Sequence, residues 1–413
     1  MKMPPRVAEP TSANGRLKVL HLITRLIRGG AQENTLLTVA LADRRRYQVH
    51  LASGPEGEWL PRGDEVADCF HLIPPLTSPV APKRDLAALR DLVQLIRRER
   101  FAVVHTHTSK AGLLGRLASW LCGVPVTVHT PHGTVLHDIY LTPRQQALAA
   151  WVKRRAARIS DAIITVSDSE RDGYLGWRIA PTGKFHTIYS GMDYSRFCRA
   201  GVPMPAAGRR GLRSSFGLTE DDLVVLLPAR YVPEKGHCFF FAAAEQVMEA
   251  MPQARIVLAG DGPLASQISD LRAASAFPQR IHLLGFRSDV LELMRAADVV
   301  VSASLSEGLP RAVVEALLLE RPVVGTDAGG TREVLLDRLT GVLVPCADAG
   351  ALAEGILYLL RRPHEAARMA SAGREHVTPR FEARTMVERI ERLYQECLAR
   401  KGIGDRLSAP ARS

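Results

Sequence analysis

Long apolar runs, paired cysteines and aromatic residues are what this sequence has least of. No segment approaches the ~20 consecutive apolar residues that a membrane-spanning helix needs. The opening Met1-Lys2-Met3-Pro4-Pro5 leads into polar residues up to Arg16 and not into the apolar core of a signal peptide. A cytoplasmic protein is therefore expected, with disordered tails at 1–16 and 401–413. The six cysteines, Cys69, Cys122, Cys198, Cys238, Cys346 and Cys397, stand far apart without a C-x-x-C pair. That disfavours a disulfide framework or a structural zinc and leaves them as buried thiols. Aromatic residues make up 6% and no basic cluster is interleaved with them, so a stacking platform for single-stranded nucleic acid is missing. There is no internal repeat and no low-complexity tract.

What is there is an ordinary globular composition, 46% hydrophobic and 23% charged, in a chain of 413 residues. One core stops growing before that length, so two domains are expected. Lys and Arg number 54 against 43 Asp and Glu, a net charge of +11. The surplus favours anionic partners, among them phospholipid head groups and phosphorylated small molecules, with nucleic acid the weaker reading.

From Leu17 onward, short apolar runs alternate with amphipathic segments of helical length, the pattern of βαβ units on a parallel sheet. Strands are expected near Lys18–Thr24, Val49–Ser53, Val103–Thr106, Val126–His129, Ile163–Val166 and His186–Ile188. A second series restarts at Val224–Pro228 and continues through Ile256–Ala259, His282–Leu284, Val299–Ser302, Val323–Gly325 and Gly341–Val344. The Gly- and Pro-rich stretch from Gly201 to Gly208 reads as a linker. The expected division is a first Rossmann-like domain over 17–200, a linker over 201–210, a second Rossmann-like domain over 211–378 and a terminal helix within 379–400. Loops at the C-terminal strand ends of such sheets are where ligands bind.

Those strand ends carry the chemistry. After Val224–Pro228, Arg230 and Lys235 share one strand-to-helix loop, which suits a diphosphate through guanidinium, ammonium and free helix N–H groups, although pairing with Glu234 and surface acids is open to them. The loop Gly260-Asp261-Gly262-Pro263 is a tight turn without the Gly-Lys-Ser/Thr of a P-loop. In the run from Ser306 to Leu317, Pro310 fits the first helical turn, which places Glu307 in the loop and Glu315 about two turns along the helix. In the first half, Gly29-Gly30 follows the first strand without forming G-x-G-x-x-G, so a dinucleotide is disfavoured. His105, His107, His129 and His132 lie at neighbouring strand ends, yet no carboxylate or thiolate stands nearby at ligand spacing, and a zinc site is disfavoured. The segment from Arg144 to Arg158 is basic and free of acids, and either a solvated helix or an anionic lipid surface would account for it.

The run Glu307-Gly308-Leu309 through Glu315 resembles the Glu-x7-Glu signature of retaining glycosyltransferases of the GT-B fold, the large family 4 type. The Arg230/Lys235 loop and the His132-Gly133 turn fall in the family's order, so the resemblance spans essentially the whole folded chain. One departure is Pro310, where many relatives carry Gly and with it a backbone N–H. The resemblance implies two Rossmann-like domains facing a central cleft, with the last helix crossing back to the first domain. It implies that Glu307, with Gly308 and Leu309, lies by the donor sugar and that Glu315 holds the ribose hydroxyls. Arg230 and Lys235 would hold the diphosphate, and Phe286 and Arg287 would meet the base through their backbone. Gly29 and Gly30 would close over the donor phosphate, His132 would face the sugar, and His105, His107 and Lys110 would line the acceptor side.

The function so implied is transfer of a hexosyl or N-acetylhexosaminyl group from a nucleotide-sugar, UDP-sugar above others, to a saccharide or lipid-linked acceptor in cell-envelope polysaccharide or glycolipid synthesis. No cofactor and no metal are expected, since no Asp-x-Asp follows an apolar strand. The inner face of the membrane is the surface that the basic segment would meet. A nucleotide-sugar epimerase of the same fold and a non-catalytic anion- or nucleic-acid-binding protein are the alternatives.

Overall fold

The computed structural model describes residues 15–133, 142–198, 204 and 206–403. The seven-stranded sheet of the first half holds β1 (Leu17–Ile23), β2 (Tyr47–Ser53), β3 (Cys69–Leu72), β4 (Val103–His107), β5 (Val126–Thr130), β6 (Ala162–Thr165) and β7 (Phe185–Thr187), in the order β3-β2-β1-β4-β5-β6-β7. The six-stranded sheet of the second half holds β8 (Leu223–Pro228), β9 (Ala254–Ala259), β10 (Ile281–Leu283), β11 (Val299–Ser302), β12 (Val323–Thr326) and β13 (Val342–Val344), in the order β10-β9-β8-β11-β12-β13. All pairings within both sheets are parallel. Parallel strands are covered by helices on both faces, which is why β8 reads Leu-Val-Val-Leu-Leu-Pro without alternation. The edge strand β3 was not expected: Cys-Phe-His-Leu is short, half-exposed and carries no apolar run.

The helices follow from ordinary signals. Pro82–Glu99 starts on a proline with Asp85 in its first turn, ends on Arg97 and Arg98, and buries Ala88, Leu92, Leu95 and Ile96 at helical spacing. His237–Ala250 buries Phe240, Ala244, Val247 and Met248 against the second sheet.

The chain forms two compact units, one from the residues up to Gly191 together with those from Ala383 onward, the other from Met192 to Glu382. The terminal helix Ala383–Arg400 thus belongs to the first unit, where Met386, Val387, Ile390, Leu393, Tyr394 and Cys397 enter its core. Each such buried side chain contributes about 1.5–3 kcal/mol relative to exposure. The chain enters this helix close beside Gly191, where a Cβ would stand 2.4 Å from the Ala383 Cα.

The expected linker over 201–210 needs correction. Residues 201–203 and 205 lie outside the described residues, but Ala206–Ser214 is a helix of the second unit. Arg213 in it is buried and donates to the carbonyls of Asp222 and Ala296 and to the Asp298 carboxylate. The boundaries fall instead at Gly191 and Glu382, because Met192 bridges to Glu382 and both stay with the second unit. The expectation of buried thiols also fails in part: Cys397 is buried, but Cys238 is exposed and Cys69, Cys122 and Cys346 are half-buried. The expected tails at 1–16 and 401–413 lie largely outside the described residues.

Candidate functional site

The second sheet reverses its winding between β8 and β11, and the loops after the C-terminal ends of these two strands are where such a sheet binds its ligand. Both loops carry the charged residues. After β8, a 3-10 turn over Pro233–Lys235 is capped by Gly236 at φ 63, and a Cβ there would lie 2.1 Å from the Ala303 carbonyl oxygen. Only glycine allows the two loops to approach so closely. The Leu305 N–H donates to the Glu234 carbonyl at 2.7 Å, fixing one loop on the other.

Across this seam Lys235 Nζ meets Glu307 Oε1 at 2.5 Å, and Ser304 Oγ donates to the same oxygen at 2.7 Å. Glu307 is backed from β12: a Cβ on Gly329, at φ 53, would sit 2.0 Å from the Glu307 carbonyl oxygen. Arg230 is exposed, and among the described residues its guanidinium has no hydrogen-bond or ion-pair partner. The alternative pairing of Arg230 with Glu234 is therefore not used. Glu315 lies on the helix Arg311–Leu318, its carboxylate 4.0 Å from the Arg311 guanidinium and 16% exposed. Pro310 caps that helix and sits one residue before its first turn. Gly308 is half-buried and Leu309 buried.

The loop after β10 is tied to the one after β9, the Gly260 N–H donating to the Gly285 carbonyl. Phe286 is 51% exposed. The Arg287 side chain folds onto Asp289 through two hydrogen bonds of 2.8 and 2.7 Å, which lower the Asp289 pKa.

In the first unit, Gly29 caps the helix Gly30–Leu41, and Glu33 N–H donates to its carbonyl. His132 follows β5 at φ 60, a left-handed conformation that a non-glycine residue adopts at some cost and that clusters at functional sites. Gly133 N–H beside it donates to Glu170 Oε1 at 2.6 Å, while Glu170 Oε2 accepts from Val166 N–H at 2.8 Å. The buried Glu170 carboxylate thus clamps the His132-Gly133 turn to the end of β6.

The four histidines read from the sequence do not act as one group. Strand alternation sends His105 and His107 to one face of β4 and His129, which pairs with Thr106, to the other. His129 packs on Gly112, where a Cβ would lie 2.4 Å from its Cε1. His21 on β1, overlooked in the sequence, is the register partner of His105 and joins the first face. Burial, the largest cause, drives the pKa of His21 down to about 3 and holds those of His105, His107 and His129 well below the ordinary range.

Two expectations are corrected by these contacts. His105 and His107 are fully buried and do not line an acceptor surface. His105 bonds to Tyr394 Oη at 2.6 Å and to Thr130 Oγ1 at 2.7 Å. Lys110 is committed to Asp85 at 2.7 Å and to the Pro79 carbonyl, which anchors the start of the helix Pro82–Glu99. Among the described residues, the ring nitrogens of His21, His105 and His107 also lie within 4.8 Å of one another.

Similarity to known proteins agrees with this geometry. Residues 209–376 match the family model described as glycosyl transferases group 1, and residues 29–191 match that of the glycosyl transferase 4-like domain. The Bacillus subtilis (strain 168) protein EpsD, a glycosyltransferase by name, is 30% identical over 83% of this chain and 87% of its own length. An Escherichia coli UDP-Gal:alpha-D-GlcNAc-diphosphoundecaprenol alpha-1,3-galactosyltransferase is 27% identical over 82% of this chain and 86% of its own. The crystal structure of Anabaena HepE in complex with UDP-glucose superposes with a TM-score of 0.79 at 22% identity, covering 92% of this chain and 100% of that one. The chain belongs to the group 1 glycosyltransferases, enzymes of GT-B architecture built from two parallel-sheet Rossmann-like units.

Proposed function

We propose that this glycosyltransferase moves a hexosyl or N-acetylhexosaminyl group from a UDP-sugar to a saccharide or lipid-linked acceptor of the cell envelope, with retention of configuration and without a divalent metal. The observation that carries the reading is the Arg230 guanidinium, without a partner among the described residues, in the same loop as Lys235 of the Lys235–Glu307 pair at the switch point of the second sheet. An exposed guanidinium and an ammonium carried by one loop suit an anion that arrives from outside, and a nucleoside diphosphate can take both charges. Glu307 holds Lys235 in place and stands beside the donor sugar, while Glu315, one helix further, takes the ribose hydroxyls. The E. coli relative, named for UDP-Gal and a diphosphoundecaprenol acceptor, supports the choice of base and acceptor class.

Leaving-group charge is then met by Arg230 and Lys235, and a phosphate oxygen of the departing diphosphate takes the acceptor's proton as the new bond forms on the same face. An α-linked UDP-sugar is expected to give an α-linked product at an unchanged rate in EDTA. NMR assignment of the new linkage checks this. A β-linked product, or activity lost in EDTA and restored by Mg²⁺ or Mn²⁺, would overturn the mechanism.

The membrane surface enters through the helix Pro143–Arg158. Leu148 and Trp151 are 62% and 52% exposed, and Arg144, Arg155 and Arg158 around them are exposed as well. Lys153 and Arg154 turn inward, to Tyr174 Oη and to the carbonyls of Trp177 and Arg178. Apolar side chains ringed by arginine suit an anionic lipid interface. Replacing Leu148 and Trp151 with serine is expected to abolish sedimentation with phosphatidylglycerol vesicles and to leave thermal stability unchanged. Equal binding by both proteins would reject this surface.

A further inference from the structure

The family resemblance sets His132 against the sugar, and the mechanism above leaves the buried imidazoles behind it without a task. They are connected. His132 Nε2 lies 3.0 Å from His107 Nδ1, and His107 Nε2 lies 3.1 Å from His21 Nδ1. The rings of His107 are stacked with those of both neighbours, at 5.3 Å to His132 and 5.4 Å to His21. His107 thus uses both ring nitrogens inside a file of three residues drawn from β1, β4 and the turn after β5.

A neutral imidazole donates at one nitrogen and accepts at the other. His107 therefore cannot donate, or accept, in both directions, and the two hydrogen bonds of the file must run in the same sense. Either His21 donates to His107 and His107 to His132, or the whole file is reversed. The state of His132 is then not its own: it is coupled to a residue two rings deeper in the sheet. His105 stands beside the file, 4.2 Å from the His107 ring, and its hydrogen bonds to Tyr394 and Thr130 keep it out of the relay.

A metal ion is the other use that three close histidines suggest. The cluster is fully buried, and it offers no carboxylate or thiolate to offset two positive charges. Both nitrogens of His105 and of His107 are already in hydrogen bonds, so each would have to give one up.

We infer that His107 and His21 are positioning residues for His132, a hydrogen-bonded imidazole file that fixes which ring nitrogen of His132 carries its proton. The inference rests on the reading that His132 faces the donor sugar. A hydrogen bond to the second ring nitrogen sets the tautomer and orientation of the first, which is what a group acting at the sugar needs.

The test uses the full-length enzyme labelled with [15N]histidine, together with His107→Asn, His107→Leu and His132→Ala. In the wild type, side-chain 15N shifts are expected to show His21, His107 and His132 neutral and each in a single tautomer of the same sense. Asn keeps a polar group at the Nδ1 position, so His107→Asn is expected to stay within ~5-fold of wild-type kcat, whereas His107→Leu loses ~10–100-fold in kcat with donor KM unchanged, the scale at which orienting partners act. In His107→Leu the His132 signals should become those of mixed tautomers. A folded His107→Leu with wild-type kcat, while His132→Ala is inactive, would overturn the file. Full activity of His132→Ala would instead reject the reading of His132 itself. If His107→Leu does not fold, the wild-type spectrum decides: mixed tautomers or a charged ring in the file would overturn it, as would one zinc per chain in the purified protein.

Discussion

Arg230→Ala is expected to lower kcat by ~10²–10³-fold, the loss that follows removal of one preorganised donor to transition-state charge. The effect should appear in kcat because negative charge on the diphosphate grows as the glycosidic bond breaks, and only stabilisation that grows with it speeds the step. The fold should not notice. Arg230 is exposed and its guanidinium is without a partner among the described residues, so its truncation orphans no buried group, and urea unfolding should stay within ~0.5 kcal/mol of wild type. Glu315→Ala supplies the contrast: loss of hydrogen bonds to the ribose is expected to weaken UDP binding by ~1.5–3 kcal/mol in calorimetric titration. A raised KM with kcat intact in Arg230→Ala would show that the guanidinium only holds the donor. Lys235→Ala is a less clean experiment, since it leaves Glu307 with Ser304 as its remaining side-chain partner of those shown here.

What could be read from the sequence was what depends on neighbours in the chain. The apolar runs of β1, β4, β8 and β11 and the loops that follow them are local patterns, and so is the Glu307 to Glu315 spacing that a helix start at Arg311 requires. What could not be read depends on partners far along the chain. Lys110 looked like a cation offered to a ligand, but Asp85, 25 residues earlier, takes it. His105 and His107 looked accessible at a strand end, yet the terminal helix covers them, with Tyr394 reaching His105 across 289 residues. His21 and Glu170 went unnoticed for the same reason, since a single histidine within β1 and one acid after β6 carry no local signal.

Lowering the pH from 7 to 5 is expected to destabilise the protein progressively. His21, His105, His107 and His129 are buried and neutral in the folded state, with the His21 pKa down at about 3 and the other three also well below their ordinary value. Unfolded, each titrates near 6.5. Below that pH the unfolded chain takes up protons that the folded one refuses, so stability falls as pH falls, and it continues to fall until the folded pKa is reached. Arg44 beside His21, and Arg116 and Lys153 beside His129, act in the same direction by opposing a further positive charge. Burial shifts His50, His71, His186, His237 and His282 in the same direction, so nine histidines contribute to the fall. The window lies above the carboxylate range, so histidines dominate it. Urea unfolding at intervals between pH 7.5 and 5 measures the slope. His129→Gln, which lies on the opposite face of β4 and β5 from the imidazole file, should make that slope shallower, because one group that refuses a proton in the folded state is removed. A stability that stays flat from pH 7 to 5 would mean that these imidazoles are hydrated or charged in solution, and the buried neutral file would fall with that result.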